Sequence, residues 1–132
     1  MKAKYIIFSE AGHVESGNSL PVEDQVQFGA DEAISRAKYL EACQKCQKHY
    51  SAEISAVNAS SYLNQDVTGF YWWVILLRLP IDGGLLQAPD LSAVGQKIKT
   101  GDELSRLVVE YSTSGFPRDN ALNTISDLLG IS

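Results

Sequence analysis

The chain has 132 residues, 45% of them hydrophobic and 20% charged, a balance that fits one ordinary globular domain with its own core and excludes a disordered or fibrous polymer. Its formal net charge of −5 is spread without a strong local excess, which argues against a nucleic-acid backbone or an anionic lipid as main ligand, because both demand a cationic surface. A basic protein is the better-matched partner.

The apolar run Tyr5 to Phe8 is too short for a signal peptide. The longest hydrophobic stretch, Phe70 to Leu77, has about eight residues against the roughly twenty of a spanning helix, so no membrane association and a cytoplasmic location are expected. Reduced cysteines follow from that location. Lys4 to Glu10 is predicted as a strand, with Tyr5 and Ile7 on one face and Ile6 and Phe8 on the other; being apolar on both sides, it belongs inside a sheet. Ala11 to Pro21, rich in Gly and Ser, reads as a loop, and Val22 to Phe28 alternates as a short edge strand would.

A helix is predicted from Asp31 to Gln47, where Ala33 or Ile34, Ala37, Leu40, Cys43 and Cys46 recur as one apolar stripe. Asp31 is placed to cap its start, and Lys45, Lys48 and His49 to complement the dipole near its end. Ala52 to Asn58 alternates weakly, and Ser60 to Asp66 reads as a turn. Gly69 to Leu79 is the most strongly β-forming segment, with Phe70, Trp72, Val74 and Leu76 on one face and Tyr71, Trp73, Ile75 and Leu77 on the other. Pro80 and Asp82-Gly83-Gly84 end it. From Pro89 onward the spacing turns helical, in two or three short helices, the last closing at Gly130. The expected fold is α+β: one domain over residues 1–132, with a strand, helix, strand, strand core over 1–80 and a helical part over 89–132. The sheet would be small, antiparallel or mixed.

Cys43-Gln44-Lys45-Cys46 is a C-x-x-C, and His49 continues the three-residue step, so a thiol-redox pair or half of a zinc site is the alternative function. Position opposes redox, because an attacking cysteine sits at a helix N-terminus and this pair follows about three turns of predicted helix. No second C-x-x-C completes a zinc site, and the cysteines read first as small hydrophobes in the stripe. The run Phe70-Tyr71-Trp72-Trp73 suits the core of a central strand, with one aromatic face free to meet a partner or a second copy of the chain. No phosphate loop, G-x-S-x-G or H-E-x-x-H occurs, and the last helix, Asn120 to Leu129, carries no Arg or Lys to meet DNA. His13 and His49 have nearby carboxylates such as Glu15 and Glu53, as in most chains of this size.

Lys2-Ala3-Lys4-Tyr5-Ile6-Ile7, followed by a loop and by Ala30-Asp31-Glu32-Ala33 leading into a helix with Ala37-Lys38, resembles the strand and helix opening of small phage-encoded anti-CRISPR proteins, over about the first third of the chain. The resemblance implies a small binder that blocks a bacterial effector, sometimes by presenting carboxylates to a site meant for nucleic acid. Toxin-immunity proteins form a second class of small acidic inhibitor without an active site. The expectation is therefore a non-catalytic, cofactor-free inhibitor or regulator of a basic or nucleic-acid-binding protein. Tyr71, Trp73, Glu53 and Asp66 are its expected contacts.

Overall fold

Two segments that are apolar on both faces, Tyr5–His13 and Phe70–Arg78, lie side by side at the centre of one sheet. The computed structural model describes residues 2–13, 26–59, 69–80, 86–87 and 91–131. In chain order these form β1 (Lys2–Ala3), β2 (Tyr5–His13), β3 (Gln27–Gly29), α1 (Glu32–Ala59), β4 (Phe70–Arg78), β5 (Leu86–Gln87), α2 (Leu91–Lys97), α3 (Gly101–Arg106), β6 (Val108–Thr113) and α4 (Arg118–Leu129). The main sheet has the order β3-β2-β4-β6 and is antiparallel throughout, while β1 pairs with β5 separately. The α+β class expected from the sequence is the one formed.

Alternation along the central strands sorts their side chains into two cores. Ile6, Phe8, Trp73, Ile75 and Leu77 pack with Val94, Ile98, Leu104, Leu122, Ile125 and Leu129 from α2, α3 and α4 and their connection. On the opposite face Tyr5, Ile7, Trp72, Val74 and Leu76 pack with Tyr39, Ala42, Cys43 and Cys46 of α1. Fully burying one large apolar side chain contributes on the order of 1.5–3 kcal/mol, so β2 and β4, covered on both faces, contribute to both cores at once.

Several local expectations hold. The Ile34 amide donates to Asp31 Oδ1 at 2.8 Å, the cap read from the sequence. Gly130 takes a left-handed conformation, φ 73°, and ends α4 as expected. Gln27–Gly29 forms an edge strand, whereas Val22 to Gln25 and the Ser60 to Asp66 turn lie outside the described residues.

Four expectations are corrected. Ala11–His13 continues β2 instead of opening a loop, because it pairs with Phe70–Trp72; the rest of that stretch lies outside the described residues. The first helix runs to Ala59, so Ala52 to Asn58 is helical, and Lys45, Lys48 and His49 fall in its middle with no basic residue in its last turn. Val108–Thr113 is a strand rather than a helix, since the β4 edge offers Val108, Tyr111 and Thr113 a ladder that outweighs a three- and four-residue spacing, with a register shift at Val109. The aromatic strand β4 lies between β2 and β6, bonded to both.

Candidate protein-binding surface

The first helix buries only part of the stripe that its sequence displays. Each helical residue advances about 100°, so a series in steps of three falls back about 60° per step and turns through about 240° from Ile34 to Cys46. Its second half, Cys43 and Cys46, therefore faces the sheet, while its first half faces solvent: Ile34 is 48% and Leu40 58% exposed. Ala33 and Ala37 are exposed beside them. Ser35, Tyr39 and Ala42 take the buried positions on the opposite side. Ser35 Oγ bonds back to the Asp31 carbonyl at 2.6 Å, which satisfies a hydroxyl that could not otherwise be buried cheaply.

The cations on this half of α1 are engaged within the molecule. Arg36 pairs with Glu32 and with Glu110 of β6, both at 3.1 Å, and Lys38 Nζ donates to the Phe28 carbonyl at 2.5 Å. Asp31 and Glu41 are exposed at the margin of the apolar strip, and Glu41 has no ion pair among the described residues. The result is an apolar strip edged by carboxylates.

The residues expected from the sequence to meet a partner are not gathered into one surface. Trp73 is fully buried and offers no ring to a partner; its Nε1 donates to Glu10 Oε1 at 3.3 Å. Tyr71 is half-buried, stacks on Phe116 with centroids 4.5 Å apart, and donates its hydroxyl to the same Glu10 oxygen at 2.7 Å. Alternation placed Tyr71 and Trp73 on one face, as the structure does, but it could not show which of them α2–α4 and Glu10 cover. Glu53 lies on α1, 3.9 Å from His49, and Asp66 is outside the described residues. Glu10, which ties two aromatics to β2, gave no signal in the sequence beyond its place in the strand.

Cys43 and Cys46 lie between α1 and the sheet, 7% and 1% exposed. Burial pushes both thiols up, Cys46 to about 11; the hydroxyl of Ser9 offsets this in part for Cys46, as do those of Ser112 and Tyr39 for Cys43. Tyr39 is itself raised to about 12 by burial, while sharing a hydrogen bond with Ser112. A raised thiol holds less of the thiolate that attacks in redox exchange. No group of three or more His, Cys, Asp or Glu among the described residues is placed to hold a metal. His49 stands with Glu53 and completes no site with the cysteines.

A pH dependence follows. Below the ordinary thiol value of 9.0 the folded and unfolded chains both keep the Cys46 proton; as pH rises toward about 11 only the unfolded chain releases it, and stability falls. Urea midpoints should therefore drop between about pH 9 and about pH 11, and Cys46→Ala should lessen the drop. A midpoint that rises over this range would contradict the buried thiol.

No helix among the described residues is long and apolar enough to cross a membrane. Comparison with protein-family models, with curated proteins and with solved structures finds no match to this chain.

Proposed function

We propose that this domain is a non-catalytic inhibitor or regulator that binds a more basic protein through the outward face of the first half of α1. The observation that carries this reading is the exposure of Ile34 and Leu40, 48% and 58%, on a face of the helix that no described residue buries. Burying two large aliphatic side chains and the alanines between them is the usual way an amphipathic helix face binds a partner. Asp31 and Glu41 at its margin, with Arg36 and Lys38 committed elsewhere, favour a partner that brings positive charge. The net charge of −5 acts in the same direction by steering encounter. The likeness of the chain's opening to small phage-encoded inhibitors supports an inhibitor over an enzyme, and a nucleic-acid-binding effector is a basic partner of the right kind.

The test compares the wild type with a double variant, Ile34→Asp and Leu40→Asp, as affinity baits in lysate of the source cell. Both positions are exposed, so the variant should match the wild type in circular dichroism and melting. A stoichiometric basic protein, identified by mass spectrometry and bound roughly a hundredfold more weakly by the double variant, is the expected result. A partner retained equally by both baits, or none retained by either, overturns the reading.

A further inference from the structure

The C-terminal end of β4 and the start of β6 frame a cavity of about 400 Å³, within the roughly 300–1,000 Å³ usual for small-ligand sites. Arg78, the last residue of β4, and Arg106, the last of α3, both line it, and Leu79, Pro80, Leu107 and Val109 supply apolar wall. The backbone beneath the arginines is fixed. The Leu107 amide donates to the Leu104 carbonyl at 3.1 Å, and the Leu107 carbonyl accepts from the Arg78 amide at 3.0 Å, which joins the two chain segments. Leu76 pairs with Glu110 and Leu77 with Val108, so Val109 is an extra residue, a bulge of the kind that re-aims side chains beside binding sites.

Among the described residues no carboxylate lines this cavity. Glu110, next along β6, is held by Arg36 at 3.1 Å, Glu103 of α3 accepts from the Lys99 amide at 3.2 Å, and Asp102 lines a separate cavity shared with α4. Neither Arg78 nor Arg106 makes an ion pair or a side-chain hydrogen bond with a described residue. The helix dipole accounts for one cation at the end of α3 but not for a second on the same cavity. Two guanidiniums without a counter-charge repel each other, and an anion between them relieves that repulsion.

We propose that this cavity binds a small phosphate monoester, with Arg78 and Arg106 on its phosphate and Leu79, Pro80 and Leu107 against its organic part. The planar fork of arginine matches phosphate oxygens bidentately, and a dianion with three terminal oxygens satisfies two forks, where a single carboxylate neutralises only one charge. Two cations are too few for a nucleic-acid track, so the ligand is a free small molecule. The cavity shares no residue with the proposed partner surface on α1.

The test is an NMR titration of the isotope-labelled chain with phenyl phosphate at neutral pH and constant ionic strength. The amides of Arg78, Leu107 and Val109 should shift saturably, with a dissociation constant of about a millimolar or below. Benzyl alcohol, which lacks the phosphate, should leave them in place, and inorganic phosphate should bind more weakly. Arg78→Gln combined with Arg106→Gln should weaken phenyl phosphate binding roughly tenfold or more. Lys45→Gln combined with Lys48→Gln, an equal change of charge on α1, should leave it within about twofold. All four positions are exposed, so both variants should keep the fold. No saturable shift with millimolar phenyl phosphate, an equal loss in both double variants, or inorganic phosphate bound as tightly as the monoester overturns the inference.

Discussion

Trp73→Ala should remove about 4 kcal/mol of stability, near the upper range for truncating a buried aromatic and a large share of the roughly 5–15 kcal/mol that holds a domain together. The size follows from position. Trp73 is the largest of the fully buried side chains, sits on the central strand β4 opposite Glu10, and packs in the core shared with α2, α3 and α4. Truncation opens a cavity in that core and deletes the indole donor to Glu10, although the carboxylate keeps the Tyr71 hydroxyl at 2.7 Å. Trp73→Phe separates the two effects: it keeps most of the apolar volume, loses only the N–H, and should cost about half as much or less. Urea denaturation of the three proteins measures both. If Trp73→Ala were tolerated within about 1 kcal/mol, the ring would have to lie at a surface, and the contact role expected from the sequence would return.

Gly95→Ala should lower stability by about 2 kcal/mol, against the sign that helix propensity predicts. Inside an unencumbered helix the same change stabilises by up to about 1 kcal/mol, because glycine is the freer residue in the unfolded chain. At Gly95 an added Cβ would lie 2.2 Å from the Leu129 carbonyl oxygen and 3.3 Å from its carbon. Those atoms are backbone at the end of α4, so relief requires moving the helix that delivers Leu122, Ile125 and Leu129 to the core. A lowered melting temperature for Gly95→Ala confirms the close α2 and α4 crossing; a raised one places α2 farther away.

Gly29 shows the same economy on the other face, without a positive φ. A Cβ there would meet Ser35 Oγ at 1.9 Å, so the absence of a side chain is what allows the edge strand β3 to approach α1. Neither glycine is conspicuous in the sequence.

Local chemistry determined much of this protein by itself. Strands β2 and β4 were legible because a near-continuous apolar run of strand length, rich in aromatic and β-branched residues and, for β4, closed by Pro80, fits a central place in a sheet covered on both sides. The start of α1 at Asp31 and the end of α4 at Gly130 were legible because caps act through hydrogen bonds and backbone angles within a few residues. The packing of Cys43 and Cys46 as small hydrophobes was legible for a similar reason, since their distance from the helix start removed the dipole that a reactive thiol uses. What depended on distant neighbours was not. Val108–Thr113 became a strand because β4 had an open edge, and Trp73 was withdrawn from the surface because α2–α4 and Glu10 lie over it. Ile34 and Leu40 became the exposed face of α1 because a three-residue spacing is compatible with either side of a helix, and only the sheet beneath Tyr39, Ala42, Cys43 and Cys46 selected which side is buried.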